Sequence, residues 1–233
     1  MNGPQVYFEI PVLGGLPITE TMRNQWIVIG LVLCLCLYLT HNLQKIPKGK
    51  QALVEKGIVM LNGLIDSTMG EGCRHYTPFI AAIMLSSLFG SLISVIGLRS
   101  TTADLNTTLG WALIVFFLIH YSNIRFHGLK AYLKGYLEPI FIMLPLNILS
   151  EIATPVSMSF RHFGNMAGGL VITTLLMSAL AAFSNVILGF LPVPLLQIGI
   201  PGILSLYFDL FTACMQAFIF SMLTMAYVGN ARS

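Results

Sequence analysis

A single arginine lies inside a stretch of the sequence that is otherwise suited to a lipid bilayer. Arg161 occurs within residues 155–170, and Asp209 is the only other formally charged residue between Ile152 and Ala231. No acidic residue lies within four positions of Arg161, so its own helix cannot neutralise it. An unpaired guanidinium at membrane depth costs at least ~2.5 kcal/mol. We therefore expect its partner to come from another helix or from another protein.

Polar or side-chain-free positions recur at helical spacing in the two longest apolar segments. The first stripe consists of Arg161, Gly164, Asn165 and Gly168. The second stripe consists of Ser205, Asp209, Thr212 and Gln216. Two facing stripes of this kind predict a water-accessible path or a protein interface. The alternative is plain helix packing through a Gly-xxx-Gly contact, with Asp209 as the structural counter-ion of Arg161.

The histidines and cysteines give weaker signals. His162 follows Arg161, about 100° round the helix, and is either a titrating group or a packed polar residue. Four other histidines border loops and are predicted interface residues: His41, His75, His120 and His127. No two of them have metal-ligand spacing on a shared face, so we expect no metal site. The four cysteines are interpreted as small apolar side chains.

The composition excludes a soluble domain. Of the 233 residues, 56% are hydrophobic and only 9% are charged, whereas soluble domains typically carry about 25% charged residues. The net charge of +3 is concentrated in loops, so it bears on membrane topology and not on nucleic acid. No phosphate-binding loop motif occurs. The fold class predicted is an all-α integral membrane protein.

The apolar segments predict about five spanning helices and one re-entrant hairpin in a single membrane domain, 1–233. An extracytoplasmic lead covers 1–22, and residues 57–72 are expected to lie along the membrane surface. The predicted spans are 24–43, 78–97, 105–121, 155–188 and 203–228. The segment 139–150 is too short to cross and contains Pro145, so it is predicted to form the hairpin. The last two helices, about 50 and 39 Å long, exceed a ~30 Å core and must tilt strongly or kink.

Basic residues in two loops predict the orientation. The first loop carries Lys45, Lys48, Lys50 and Lys56, and the second carries Arg125, Lys130 and Lys134. Cytoplasmic loops are enriched in such residues, so both loops are predicted to be cytoplasmic. This places the N-terminus outside and the C-terminus in the cytoplasm. It also places Asn147, Ser150 and Glu151 near the cytoplasmic face, while Asp104 is expected to cap a helix on the outer side.

Two motifs carry a family resemblance. The runs SFRHFGNMAGG and CMQAFIFSMLTMAYV closely resemble subunit a of F-type ATP synthases, and TADLNTTL and PVSMSFRHFGNM also fit. The likeness extends from about Gly14 to Val228. It implies a stator subunit in the cell's inner (plasma) membrane that is not an enzyme by itself and needs no cofactor. The implied partners are the c-ring, b-type peripheral stalk subunits, membrane lipid and the translocated H⁺ or Na⁺, with no nucleic acid.

The resemblance also implies roles for individual residues. Arg161 matches the essential arginine, which attracts each c-ring carboxylate into its ionised form and separates two aqueous half-channels. Gln216 matches the glutamine that faces the arginine, and Asn165 matches the asparagine one turn beyond it. The exit-side polar cluster corresponds to Asn147, Ser150 and Glu151. Many members have a glutamate at the position of Asn147, so Glu151 is expected to take that role.

The uptake side departs from the family pattern. Many bacterial members carry a glutamate and a histidine at the positions of Leu170 and Asp209. Uptake is therefore expected to depend on Asp209, with Asp104 and Asn106 as further candidates. His162 stands where the family usually has an apolar residue.

Two other functions remain as alternatives. A stand-alone secondary transporter would use Arg161 to bind an anionic substrate, but such proteins usually contain an internal repeat, and none is visible. A purely structural membrane scaffold would tolerate Arg161→Leu.

Overall fold

A short β-hairpin and seven α-helices form the part of the chain that the computed structural model describes, residues 6–11, 16–137, 142, 144–187 and 206–232. The antiparallel strands are β1 (Val6–Ile10) and β2 (Leu16–Thr19). The helices are α1 (Glu20–Thr40), α2 (Lys50–Met69), α3 (Thr77–Leu92), α4 (Leu105–His127), α5 (Leu129–Gly135), α6 (Leu144–Ile187) and α7 (Thr212–Asn230). A π-helical stretch, Leu206–Phe211, leads directly into α7.

Five helical segments within the described ranges are long and apolar enough to cross a membrane. They are Glu20–Thr40, Arg74–Ile96, Leu105–His127, Leu144–Ser184 and Asp209–Asn230. An apolar helix of about 20 residues spans a hydrocarbon core and satisfies its own backbone hydrogen bonds there. This confirms the prediction of an all-α, multi-pass integral membrane protein with about five spanning helices.

The core lies between α2, α3, α4, α6 and α7. One buried cluster joins α2, α3 and α7 through Ile65, Met69, Cys73, Tyr76, Ile80, Met225 and Val228. A second joins α3, α4, α6 and α7 through Ile83, Ala112, Val115, Met158 and Phe220. By contrast, the buried residues of α1 are confined to its first half, at Thr21, Asn24 and Val28. The remainder of α1 is therefore a surface helix of this chain.

Several helices extend beyond the apolar segments from which they were predicted. α1 begins at Glu20 instead of residue 24, because an acidic residue is favourable in the first turn of a helix. α4 continues past residue 121 to His127, where Gly128 adopts φ +81° and its N–H bonds to the carbonyl of Ile124. Polar residues at helix ends lower the local hydropathy without ending the helix, so hydropathy alone underestimated both lengths.

The segment predicted to form a re-entrant hairpin is corrected over its described part. Leu144 to Ser150 belong to α6, which runs on as one helix of 44 residues, about 66 Å at 1.5 Å per residue. Pro145 is the second residue of this helix. A proline in the first turn interrupts no helical hydrogen bond, because the N–H groups there lack partners within the helix. The other residues of the predicted hairpin, 138–141 and 143, lie outside the described residues.

The last helix is described from Leu206 onward. The π-helical stretch Leu206–Phe211 and α7 together reach Asn230, two residues beyond the predicted end at 228. The predicted outer connector, together with the end of one predicted helix and the start of the next, falls on residues 188–205, which lie outside the described ranges.

We predict that Gly229→Ala destabilises the contact between α7 and α2. A Cβ at Gly229 would lie 3.0 Å from the Cα of Met69 and 3.2 Å from the carbonyl oxygen of Thr68. Because both are backbone atoms, the helices must separate, at a cost of about 1–3 kcal/mol. Gly110→Ala in α4 is the matched control, since no atom lies within 4 Å of its Cβ position. Thermal unfolding in detergent should show a lower midpoint for Gly229→Ala only; equal midpoints would contradict the contact.

Candidate functional site

Arg161 lies on the surface of α6 that faces away from the other helices of this chain. Its side chain is exposed, as are Gly164 and Asn165 on the same face, whereas Met158 and His162 are buried on the opposite side. Within the described ranges Arg161 takes part in none of the ion pairs, which join Arg23 to Glu20, Arg74 to Asp66 and His120 to Glu151. The guanidinium is therefore available to a group outside this chain.

Asp209 is not the counter-ion of Arg161. It lies in the π-helical stretch before α7, and its Oδ1 accepts a hydrogen bond from Ser94 Oγ at 3.4 Å. Asp209 is partly buried. Such π-helical turns often occur at functional sites. The geometry thus decides against the alternative in which Asp209 and Arg161 form a structural pair.

The second polar stripe is only partly on the surface. Gln216, one turn into α7, is 4% exposed, whereas Asn165 on α6 is exposed. Thr212 is partly buried, and its hydroxyl donates to the carbonyl of Tyr207 at 3.4 Å. Ser205, the first member of the predicted stripe, lies outside the described residues. The two stripes therefore differ in exposure, since the first faces away from the chain and the second turns into it.

An open polar cavity of about 590 Å³ lies near the start of α6. The three residues predicted as an exit cluster, Asn147, Ser150 and Glu151, all line it. Its other polar lining residues are His120, Asn123 and His127 of α4, Tyr132 of α5, Tyr136 just after α5, Thr154 of α6, and Tyr227 and Asn230 of α7. Asn147 Nδ2 donates to the carbonyl of Tyr136 at 3.0 Å, which ties α6 to the residue that follows α5. The structure thus brings the predicted cluster together in one place.

Two residues beside Glu151 were missed by the sequence analysis as members of this cluster. His120 had been interpreted as a loop-border residue, yet its Nδ1 lies 3.3 Å from Glu151 Oε1. Tyr132 lies on α5 in the same cavity. Burial and the neighbouring Glu151 raise the pKa of Tyr132, so it stays a hydroxyl donor at neutral pH. Because the three residues lie on separate helices, no local spacing could have indicated their proximity.

His162 is a packed residue inside the protein. It is 1% exposed, and its Nε2 lies 3.2 Å from Ser87 Oγ on α3. Its ring meets Trp111 and Phe220 edge-on, with centroids 6.0 and 5.5 Å away. Although adjacent to Arg161 in sequence, it faces the core and not the exposed arginine face.

Asp104 caps α4, as its position in the sequence predicted. Its Oδ1 accepts from the backbone N–H of Asn106 at 3.0 Å, and its Oδ2 accepts from Thr21 Oγ1 at 2.7 Å. The second bond attaches the start of α1 to the start of α4. Asn106 is exposed and contributes its backbone N–H to this arrangement.

No cluster of three or more His, Cys, Asp or Glu side chains that could hold a metal ion is found in the described part of the chain. The ionisable groups are instead distributed over three places: the cavity at Glu151, the exposed face at Arg161, and the Ser94–Asp209 pair. Together with the five apolar helices, they define a multi-pass helical membrane protein with ionisable groups along its spanning segments.

Comparison with known proteins gives the family. A sequence model described as ATP synthase A chain matches residues 22–229. ATP synthase subunit a 1 of Syntrophotalea carbinolica is 36% identical, over 90% of this chain and 84% of that protein. ATP synthase subunit a of Moorella thermoacetica is 32% identical, over 95% and 94%. A protein of Propionigenium modestum named ATP synthase subunit a, sodium ion specific, is 31% identical, over 98% and 84%.

The chain belongs to the ATP synthase A chain family. It is therefore a non-catalytic membrane component of an F-type ATP synthase, where it takes part in the ion translocation that couples an ion gradient to rotary ATP synthesis. None of these similarities supports the stand-alone transporter.

We predict that Asp104 contributes stability as a cap and not as a channel acid. Asp104→Ser keeps an oxygen that can accept the Asn106 N–H but removes the carboxylate, whereas Asp104→Ala removes both. We expect Asp104→Ala to cost about 1 kcal/mol and Asp104→Ser to keep ATP synthesis near wild type. Thermal unfolding and ion-driven ATP synthesis by the assembled complex are the measurements. Loss of synthesis in Asp104→Ser with intact assembly would instead indicate an acid in the ion path.

Proposed function

We propose that Arg161 is the fixed charge past which the translocated ion is handed, at an interface between α6 and a ring of c subunits. The observation that carries this proposal is an exposed guanidinium, without an ion pair among the described residues, on a helix that crosses the membrane. An arginine stays protonated under all physiological conditions. It therefore attracts an ionised carboxylate on a partner. By stabilising the ionised form, it favours release of the H⁺ or Na⁺ that the carboxylate carried.

The surface around Arg161 suits a closely approaching helix. Cβ positions at Gly164 and Gly168 meet no atom of another described element within 4 Å. Small residues allow two helix backbones to approach closely in a membrane. With Asn165 on the same exposed face, the surface combines close approach with a hydrogen-bonding group. A c-subunit helix that carries a mid-membrane carboxylate fits these features.

The two ends of the ion path are assigned from the other polar groups. Glu151 precedes Arg161 by ten residues on α6, about 15 Å along the helix, and lies in the open cavity with Asn147 and Ser150. Asp209, bonded to Ser94, lies just before the start of α7, whereas Tyr227 near the end of α7 lines the cavity. We assign the cavity to the half-channel on one side of the membrane and Asp209 to the half-channel on the other, with Arg161 between them and Gln216 behind it.

The orientation follows from the distribution of basic residues. The loop after α1 and the segment around α5 carry most of the lysines, which favours a cytoplasmic location for both. The cavity at Glu151 lies beside α5 and then opens to the cytoplasm, while Asp209 takes ions from outside. The N-terminus is outside and the C-terminus cytoplasmic, in the cell's inner membrane. Peripheral stalk subunits of the b type and membrane lipid cover the remaining apolar surface.

We predict that Arg161→Ala abolishes ion-driven ATP synthesis while the complex still assembles. The side chain is exposed and makes no contact that folding requires, so its loss should affect only the passing charge. The measurement is ATP synthesis by the reconstituted complex, with passive ion leak recorded in parallel. Arg125→Ala is the matched control, since Arg125 lies near the end of α4 and bonds to Tyr121. Wild-type synthesis in Arg161→Ala would overturn the assignment.

We also predict that Asp209→Asn slows ion uptake from the outside by roughly tenfold or more, because an amide cannot take up and release a proton or neutralise a cation. Ser94→Ala should have a smaller effect, since the hydroxyl only orients the carboxylate. Asp66→Asn is the control, because Asp66 forms a surface ion pair with Arg74, worth about 0–1 kcal/mol. Outside-driven synthesis at the wild-type rate in Asp209→Asn would move the uptake path elsewhere.

A further inference from the structure

The cavity at the start of α6 contains an acid and a base in contact. His120 Nδ1 on α4 lies 3.3 Å from Glu151 Oε1 on α6, yet Nδ1 forms no hydrogen bond of acceptable geometry among the described residues. The side chains are 20% and 27% exposed. The two groups are thus close enough to exchange a proton after a small rotation, and both retain access to the cavity.

The histidine ring is held in place by aromatic neighbours. Its centroid lies 3.9 Å from that of Phe116, one turn earlier on α4, and 5.9 Å from that of Tyr132 on α5. Nδ1 itself is buried. The side chain as a whole is nevertheless 20% exposed, and it lines the same cavity as Glu151.

Other titratable groups line the same cavity as Glu151, and Tyr132 also forms a hydrogen bond with it. They are His127 from α4, Tyr132 from α5, Tyr136 just after α5, and Tyr227 from α7. A phenol is ordinarily a neutral hydroxyl group at pH 7. The lining residues include no lysine or arginine. His120 is the base that contacts Glu151, and an imidazole changes charge between pH 5 and 8.

We propose that His120 and Glu151 act as a proton-sharing pair that passes protons between the Arg161 region and the cavity. This inference rests on the proposed function, which assigns Glu151 to an ion path. It deepens that function by identifying the ion that crosses this cavity as a proton. Histidine serves here as the relay group for Glu151.

The proton balance closes without any further reactant. At rest the pair holds one exchangeable proton besides the permanent N–H of the imidazole, so it is either a carboxylic acid beside a neutral imidazole or a carboxylate beside an imidazolium. A proton that arrives from the Arg161 region binds the remaining basic group, which gives a carboxylic acid beside an imidazolium with one net positive charge. One N–H bond of the imidazolium then breaks, and water in the cavity takes the proton. For each proton that enters the pair one leaves it, and the reverse sequence operates when the enzyme complex pumps.

A structural ion pair is the competing explanation for this contact. A structural pair is expected to satisfy its buried donors, because an unsatisfied buried polar group costs free energy. The buried Nδ1 of His120 has no hydrogen-bond partner among the described residues, and both side chains retain solvent access. The geometry therefore favours a pair that exchanges protons over a structural ion pair that holds α4 and α6 together.

The test is a double-mutant cycle in the assembled, reconstituted complex. The variants are His120→Gln, Glu151→Gln and the double variant, with His120→Asn as a second replacement of the histidine. ATP synthesis is driven by a pH gradient in sodium-free buffer, and rates are measured between pH 5.5 and 8.5. His41→Gln is the matched control, because His41 is exposed in the loop after α1. A separate arm applies a sodium gradient without a pH gradient.

We expect His120→Gln and His120→Asn to lower the rate by roughly tenfold or more and to change the pH dependence of the rate. The double variant should be no slower than Glu151→Gln, within about twofold, because groups that act as a unit are not additive. His41→Gln should match the wild type. The sodium gradient alone should drive no synthesis.

The variants distinguish failure of the half-channel assignment from failure of the His120–Glu151 pair. If Glu151→Gln keeps the wild-type rate, Glu151 is outside the ion path, and the assignment of the half-channel fails together with the pair. If Glu151→Gln is impaired but both His120 variants keep the wild-type rate and profile, only the pair is overturned. Multiplicative effects in the double variant, or synthesis driven by sodium alone, would also overturn it.

Discussion

The central constraint in this molecule is a permanent positive charge on a helix that crosses a membrane. Hydrocarbon offers no water to solvate the guanidinium of Arg161, and no ion pair within the described part of the chain neutralises it. Such a helix is stable only where another molecule supplies polar or negatively charged groups. The exposed arginine therefore makes the chain dependent on a partner, in agreement with its membership of a family of complex-forming subunits.

One side of α6 packs against the rest of the chain, and the other side is exposed and carries Arg161. On one side, Met158 and His162 are buried and pack with residues of α3, α4 and α7. On the other, Arg161 and Asn165 are exposed. The packed side supplies the apolar burial and the polar contacts that fix the helix. Because that side is packed against other helices of the chain, α6 can present a costly polar face outward without losing its position.

Polar groups elsewhere in the membrane region lie in separate places and do not form a single site. The cavity at Glu151 and the Ser94–Asp209 contact lie toward opposite ends of the helix bundle, and Arg161 lies along α6 beyond the cavity. A continuous polar channel would let ions leak along their gradient. In the function we propose, two separate polar regions with a fixed positive charge between them avoid this, because the charge repels any cation that approaches without a carboxylate carrier.

The sequence alone determined the membrane class, the approximate number of apolar helices and the absence of an acidic residue within four positions of Arg161, because hydropathy and formal charge are properties of neighbouring residues. The tertiary structure alone decided how α6 passes Pro145 and which groups meet. Ser94 contacts Asp209 across 115 positions of the chain, and His120 meets Glu151 from another helix. These contacts depend on how helices pack against one another, and helical periodicity specifies a residue's face without specifying the neighbour that covers it.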